Sequence, residues 1–269
     1  MTTPSTPQGA ESELTPSAQI RIHLRTPDWA VQSALGVPTE PATIETWLPF
    51  LHLLANRAAE AAAEEAQRAG KRVSCGKGCG ACCRQMVVIS LVEARALAGM
   101  VARMPEPRQS EVRRRFAEAL RRLREGGVLD RDFSGGGETD AFPLAESNDQ
   151  RRGAAWFGLG VACPFLEDES CGIHQTRPLV CREYQVTSPS QICSRLYREP
   201  VERVEMSVRL GQSLARATAE IAGVSVAMIP LVMALELTDE IDAALAGRHD
   251  AIAMLEILLG EIGDWRIDR

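Results

Sequence analysis

Apolar residues recur at three- and four-residue steps over long stretches of the chain, which is the period of an amphipathic helix. The clearest stretch covers about residues 44 to 69 and ends at Gly70, a residue that readily stops helices. Its repeating apolar positions are Ile44, Trp47, Leu48, Leu51, Leu54, Ala55, Ala58 and Ala62. We therefore predict a first long helix here, whose alanine-rich second half permits another helix to approach closely.

A pair of helices is predicted next. Residues 90–93 have the capping-box pattern of a serine followed three positions later by glutamate, and the helix they start runs to about Met104. Two prolines break the chain, and a second helix is predicted from about Ser110 to Glu125. Its inward-facing positions are Val112, Phe116, Leu120 and Leu123.

The C-terminal third returns to helical spacing, so we predict helices over 201–222, 230–237, 238–247 and 250–259. Pro230 suits the first turn of the second of these, while Thr238 and Asp250 suit the position that caps the next two. No convincing series of alternating apolar and polar residues marks a sheet. The predicted fold class is mostly α, a helical core that carries a Gly/Pro-rich, loop-like cysteine site.

The remaining segments lack a helical pattern. Residues 1–42 begin with a Thr/Pro/Ser-rich stretch and contain several further prolines, and we predict a disordered or loosely attached N-terminal segment. Residues 126–153 are rich in Gly, Asp and Ser and are predicted to be a flexible linker. The predicted organisation is a cysteine-cluster domain over 43–200, with C-terminal helices of 201–269 packed on the same core.

Charge and hydropathy restrict the function classes. The net charge of −6 argues against broad electrostatic attraction to nucleic acid or to an anionic membrane. The longest apolar run, 224–237, is too short to cross a bilayer, and the N-terminus does not have the pattern of a secretory signal. We therefore expect a cytoplasmic protein without nucleic-acid or membrane partners. Clustered thiols in a reducing compartment indicate metal or redox chemistry rather than disulfides.

All eight cysteines of the chain fall into two groups. The first group has the spacing C-x3-C-x2-C-C with glycines between the thiols, and the second group lies far downstream. Thiolates are strong ligands for zinc and for iron–sulfur clusters, so we predict that all eight bind metal. The predicted ligands are Cys75, Cys79, Cys82, Cys83, Cys163, Cys171, Cys181 and Cys193. One site drawn from both groups, with extra thiols beside it, and two separate centres both remain open.

The first group is predicted to be a loop that turns helical near residues 79–83, because a straight helix over 75–83 would separate its end thiols by about 12 Å. Four thiolates around Zn²⁺ or a 4Fe–4S cluster leave a formal charge of about −2. Arg84, Arg177 and Arg182 lie beside cysteines in the sequence and are predicted to offset that charge. His174 is predicted either to bind metal or to pack against the motif loop. No catalytic constellation stands out, so catalytic residues are not predicted.

The cysteine pattern resembles the CxxCxxCC, or YkgJ-like, family of bacterial proteins, which is described as zinc- or iron-chelating. The residues that carry the resemblance are 75–83, 163–166, 171–174 and 177–182. One relative with a similar cysteine cluster, the flagellin lysine N-methylase, is a cluster-dependent enzyme that uses S-adenosylmethionine. The resemblance therefore implies that an iron–sulfur centre fits this pattern, and it does not by itself transfer the methylase activity.

Three functional hypotheses follow. We favour a metal-binding protein with an iron–sulfur cluster, because the thiols outnumber the four ligands that one zinc ion takes. The second is a cluster-dependent enzyme, a methylase or a redox protein, which requires a pocket beside Arg177 and Arg182. The third is an interaction module that zinc stabilises. The metal is the partner predicted in each case.

Overall fold

The computed structural model describes residues 17–76, 78–129, 146–225 and 228–268. Helices predominate, and strands are present as well, so the fold is mixed α/β rather than mostly α as predicted. The helices are α1 (Leu48–Arg68), α2 (Leu91–Ala102), α3 (Arg108–Glu125), α4 (Glu146–Gly158), α5 (Leu179–Glu183), α6 (Ser190–Cys193), α7 (Leu210–Ala222), α8 (Thr238–Ala244) and α9 (Ala251–Gly260). The strands are β1 (Ser17–Arg25), β2 (Ala30–Pro38), β3 (Val88–Ser90), β4 (Leu166–Glu167), β5 (Ser170–Cys171), β6 (Met228–Pro230) and β7 (Asp264–Asp268).

The N-terminal segment is the largest correction to the sequence-based prediction. Residues 17–38 form an antiparallel hairpin of β1 and β2, and β7 pairs with the other side of β1, which gives the strand order β2-β1-β7. Alternate residues of β1, namely Ile20, Ile22 and Leu24, are buried in the core. This alternation is the period of a half-buried strand, and it outweighs the nearby prolines. Residues 1–16 lie outside the described part of the chain.

The long helix α1 confirms the first helical prediction. A short 3₁₀ turn over Ile44–Trp47 leads into it, and its apolar stripe, which includes Leu51, Leu54, Ala55 and Ala58, is buried. The alanine-rich face packs against α5, the short helix that carries Cys181. The predicted close approach therefore places α1 directly beneath the second cysteine group.

The α2–α3 pair also follows its prediction. Ser90 caps α2, and both hydrogen bonds of the capping box with Glu93 are present. The buried residues of α3 are Val112, Phe116, Ala119, Leu120 and Leu123. On its outer face arginines pair with glutamates three or four positions away, for example Arg121 with Glu118 and Glu125. This is a solvated helix face with alternating charge.

The predicted linker of 126–153 is only partly described. Residues 130–145 lie outside the described part of the chain, and α4 starts at Glu146, so the end of the predicted linker is helical. Trp156 of α4 is buried in the main hydrophobic core. Packing of this residue explains why a segment with a loop-like composition is a helix.

The C-terminal region differs from its prediction in two places. The helix predicted to begin at residue 201 begins at Leu210. The described residues after Pro230 do not form the predicted helix. Instead, Met228–Pro230 form β6, which pairs with β3, and a 3₁₀ turn follows. Asp250 caps α9 as predicted, because its carboxylate accepts from Ala253 N at 2.8 Å. Thr238 does not cap α8, since its hydroxyl donates to backbone carbonyls of the preceding turn.

One continuous hydrophobic core includes residues of the β1–β2 hairpin, α1, α2, α3, α7 and α9. Among the helices of the described ranges, none combines the length and the apolar character needed to cross a membrane.

Candidate metal centre

The first cysteine group lies in an irregular loop after α1. A 3₁₀ turn over Ala81–Arg84 ends the loop, so the predicted helical part begins two residues later than Cys79 and has the tighter helix type. Gly78 has φ of +85°, a left-handed conformation that favours glycine. Cys75 is exposed, whereas Cys79, Cys82 and Cys83 are partly covered. Lys77 lies outside the described residues.

The second group is distributed over three short elements. Cys163 precedes a small hairpin of β4 and β5, and Cys171 ends that hairpin. The two residues of its turn, Asp168 and Glu169, both have positive φ, which is the conformation of the tightest two-residue hairpin turns. Cys181 lies in α5, and Cys193 ends α6.

Backbone contacts bring the two groups together. The N–H of Cys163 donates to the carbonyl oxygen of Cys83 at 2.7 Å, and the N–H of Ser74 donates to that of Val186 at 2.9 Å. The N–H of Val186 also donates to Cys75 Sγ at 3.4 Å, which is a hydrogen bond to sulfur itself. Such N–H···S bonds tune the affinity and potential of thiolate sites.

Arg84 and Gly80 fasten the first loop to the β4–β5 hairpin. Arg84 donates to both carboxylate oxygens of Glu169, at 2.6 and 3.0 Å, and to the carbonyl oxygen of Gly80 at 2.9 Å. A side chain on Gly80 would lie 2.5 Å from Glu169 Oε2 and 2.8 Å from Leu166 Cδ1. A methyl group on residue 80 would therefore require the Glu169 and Leu166 side chains to move, and glycine permits the close approach of the two segments.

Thiols from the two groups lie near enough to affect one another's ionisation. Burial raises the pKa of the Cys181 thiol well above its usual range, and the nearby Cys163 and Cys82 thiolates raise it further. Burial also raises the pKa of Cys163 to about 12, again with a contribution from Cys82. The pKa of Cys82 is raised first by its hydrogen bond with Cys83 and then by burial. A bound cation would favour the charged thiolates and lower these pKa values.

Cys193 of the second group also lies near cysteines of the first group. Burial raises its pKa, and the thiolates of Cys75, Cys79 and Cys82 raise it further. Each of these three belongs to the first group. Nevertheless, within residues 17–76, 78–129, 146–225 and 228–268 no three His, Cys, Asp or Glu side chains are arranged to hold a metal ion. Which thiols are direct ligands therefore stays a prediction.

Arg182 is the buried cation of the site. It is 5% exposed, and its Nε donates to the carbonyl oxygen of Arg177 at 3.0 Å. Its Nη1 donates to Asn56 Oδ1 of α1 at 2.9 Å, and its Nη2 donates to the carbonyl oxygen of Gln175. Burial lowers its pKa, while the Cys181 and Cys171 thiolates and Glu93 act in the opposite direction. Arg182 thus holds the loop before α5 and places positive charge beside the second group.

Arg177 faces the first group, since its charge lowers the pKa of Cys75 and Cys82 against the larger effects that raise both. Its guanidinium also contacts His174 Nε2. His174 is largely exposed, and burial together with the charges of Arg177 and Arg182 lowers its pKa. This contact favours the packing alternative over metal binding for His174. That Arg84, Arg177 and Arg182 offset the charge of a metal centre stays a prediction.

Two buried glutamates position α5, and their role was not predicted from the sequence. Glu93 accepts from Ser90 N and Ser90 Oγ at 3.1 and 2.9 Å, and from Leu179 N, the first residue of α5, at 2.7 Å. Glu183, at the other end of α5, accepts from Gly211 N of α7 at 3.0 Å. Burial raises the pKa of Glu93, and it raises that of Glu183 to about 7. The capping-box pattern identified Glu93, but no sequence signal indicated its contact with residue 179.

The comparison with protein families bears directly on this region. Residues 74–202 match the family model CxxCxxCC, whose description is "Putative zinc- or iron-chelating domain". No curated protein and no solved structure matches the chain significantly.

The matched region includes all eight cysteines, the arginines at 84, 177 and 182 and the whole of α5, and the family description supports the binding of zinc or iron. Glu93 lies within this region, whereas Asn56 lies before its first residue and Gly211 after its last. The groups that hold α5 in place therefore come partly from outside the matched region.

A pocket of about 530 Å³ opens beside the first cysteine loop. Its walls include Cys79, Arg84, Glu169, Phe157 and Ser190. The enzyme hypothesis required a pocket beside Arg177 and Arg182, so the observed pocket differs from that expectation. It lies on the side of the first group where the Arg84–Glu169 ion pair is located.

Proposed function

We propose that this chain holds a metal centre through thiolates from both cysteine groups, and that the centre is an iron–sulfur cluster. The observation that carries the proposal is the backbone contact between the two groups: Cys163 N donates to the carbonyl oxygen of Cys83 at 2.7 Å. In agreement with this proximity, Cys82 raises the pKa of Cys163 and Cys181, and Cys75 raises that of Cys193. A cation between the thiolates would offset their repulsion.

The donor set fits an iron–sulfur cluster and zinc alike, because both are held by thiolates. The number of thiols favours the cluster, since eight exceed the four that one structural zinc ion takes. His174 contacts Arg177 and is not needed as a donor. Arg177, beside the first group, and Arg182, beside the second, supply positive charge on both sides of the proposed centre.

The proposed role of the centre is to join the loop of 75–80 to the segment 163–193. That segment has short elements with few apolar residues of its own, and its helix α5 is held by polar contacts. Metal binding to thiolates requires their deprotonation and contributes directly to folding free energy. A centre shared by both groups would therefore stabilise the loop of 75–80 together with the segment 163–193.

A second candidate function, a cluster-dependent enzyme, is favoured by the pocket of about 530 Å³ whose wall includes Cys79. A volume in this range accommodates a small molecule. The chemistry would then take place beside Cys79, with Arg84 and Glu169 available for polar contacts. The reaction types proposed for such an enzyme are methyl transfer and redox chemistry.

The test is metal and acid-labile sulfide analysis with a visible absorption spectrum, on protein purified without oxygen. We expect a brown protein that contains iron and sulfide. In Cys181→Ser we expect metal content at background level, whereas Ser194→Ala, a small substitution at an exposed position next to Cys193, should retain it. Stoichiometric zinc without sulfide would overturn the cluster and support a zinc-stabilised module. Absence of metal from the wild-type protein would overturn both.

A further inference from the structure

The two edges of the β2-β1-β7 sheet differ in charge. β7 carries Asp264, Arg266 and Asp268, so every second residue is charged. β2 has the sequence AVQSALGVP and carries no charged residue over nine positions. Charged side chains on an edge strand oppose the addition of another strand, and proteins commonly use them for that purpose. One edge of this sheet is therefore protected and the other is not.

The unprotected edge offers backbone groups for pairing. β2 pairs with β1 along its whole length, from Ala30 opposite Arg25 to Pro38 opposite Ser17. Within the part of the chain that the structure describes, no strand pairs with the other side of β2. Alternate N–H and C=O groups of this strand thus point away from the sheet, in the arrangement that accepts a further strand.

Symmetry indicates which strand would fit. In a twofold antiparallel pair each residue lies opposite a residue of the same segment. With Ala34 opposite its own copy, all nine residues of β2 lie opposite a residue of the second copy, and no charges are brought together. Pro38, which has no N–H to donate, lies at the end of the pairing opposite Ala30. The same operation on β7 would place Arg266 opposite Arg266 and Asp264 opposite Asp268, and like charges directly opposite are destabilising. Only β2 is compatible with itself.

The side chains of β2 also permit this approach. Ala30, Ala34 and Gly36 are exposed on the outer face and are small, so they do not obstruct a neighbouring strand. Val31 and Leu35 on the inner face are partly buried against the core. In the register centred on Ala34, Val31 lies opposite Val37 and Leu35 lies opposite Ser33, so three of the four inner-face residues of each strand are apolar.

We propose that this chain forms a twofold dimer in which β2 pairs antiparallel with β2 of a second copy. The two three-stranded sheets then form one continuous sheet, with β7 at both outer edges. Both helical cores stay on the same side of that sheet, because directly opposite residues in antiparallel strands share a face. This inference does not depend on the metal centre.

Multi-angle light scattering and sedimentation equilibrium of the full chain over a wide concentration range test the dimer. We expect the wild-type protein to have twice the mass of the chain. Ala34→Lys places two ammonium groups opposite each other at the twofold axis, and we expect it to raise the dimer dissociation constant by about tenfold or more. Gln19→Lys, an exposed position on the central strand β1, adds the same charge and should leave the dimer intact.

Circular dichroism establishes that each variant is folded. If Ala34→Lys does not fold, Gln32→Lys replaces it, since its side chain is exposed on the same edge strand. A wild-type protein that remains monomeric at every concentration would overturn the proposal. A dimer that survives the folded edge variant unchanged would also overturn it, because the interface would then lie elsewhere.

Discussion

The two cysteine groups are held in place by different kinds of contact. In the second group, α5 and its preceding loop are fixed by buried polar groups: Glu93 at the first residue of α5, Glu183 at its last, and Arg182 between them. In the first group, the loop of 75–80 depends on surface contacts and on close approach at Gly80. The second group is therefore held by buried contacts that form when the chain folds, and the first group packs against the second.

This difference indicates how a centre between the groups would assemble. The thiols of Cys163 and Cys181 have strongly raised pKa values because both are buried in the folded chain. Cys75 is exposed, and a single backbone N–H donates to its sulfur. We therefore expect metal binding to order the first group more than the second. Three changes test the comparison, and they are given in order of decreasing effect.

The largest effect is expected from Glu93→Ala. This change removes the buried acceptor of Ser90 N, Ser90 Oγ and Leu179 N, and buried donors without partners are costly. We expect the free energy of unfolding to fall by about 4 kcal/mol, measured by urea denaturation. Glu118→Ala, which removes an exposed glutamate of α3, is the control and should leave stability nearly unchanged. A loss below about 1 kcal/mol for Glu93→Ala would mean that α5 has other support.

The next effect is a pH dependence caused by Glu183. Because its folded pKa is raised to about 7 from 4.5, the uncharged form is favoured in the folded state. The stability it contributes is fully present below pH 4.5 and is lost as pH rises through about 7. Glu183→Gln cannot ionise, so its unfolding free energy should improve relative to wild type by about 3 kcal/mol across that interval.

Urea denaturation of both proteins below pH 4.5 and above pH 7 measures this difference. Glu202→Gln is the matched control, because Lys71 and Thr187 lower the pKa of Glu202 and the sign is reversed. In this control, the wild-type protein should become more stable than the Glu202→Gln variant as pH rises. Equal pH profiles for wild type and Glu183→Gln would contradict the burial of an ionisable group at the end of α5.

The smallest effect is expected from Gly80→Ala in the first group. The added methyl group would overlap Glu169 Oε2 and Leu166 Cδ1 unless the β4–β5 hairpin moves. Overpacking of this kind costs about 2 kcal/mol, and we expect a matching fall in stability with a larger loss of bound metal. Gly76→Ala is the control, since a methyl group there would meet no atom within 4 Å. Identical metal retention in the two variants would show that the close approach is unimportant.

The helical part of the fold was predictable because its signals are local. The stripe of α1, the capping box of α2 and the apolar positions of α3 each lie within one helix, and each agrees with the structure. The β1–β2 hairpin was missed although Ile20, Ile22 and Leu24 alternate along β1, because the nearby prolines were given more weight. The other strand pairings have short or distant evidence. β1 pairs with β7 from the opposite end of the chain, and β3 and β6 have only three residues each.

The same distinction applies to the site. The cysteines could be recognised because they form two groups, and the arginines because they are neighbours of cysteines in the sequence. The contacts of Glu93 with Leu179 and of Gly80 with the hairpin join segments about ninety residues apart. No periodicity or local motif reports such contacts. The ion pair of Arg84 with Glu169 is hidden for the same reason.

The polar contacts around α5 have a consequence for how the protein could be divided. A fragment cut to residues 74–202 would retain Glu183 but lose Gly211, and it would retain Arg182 but lose Asn56. Two buried ionisable groups would then lack partners that the intact chain provides. The stretch defined by family resemblance is thus smaller than the unit that folds, and both flanking regions belong to the structure that presents the cysteines.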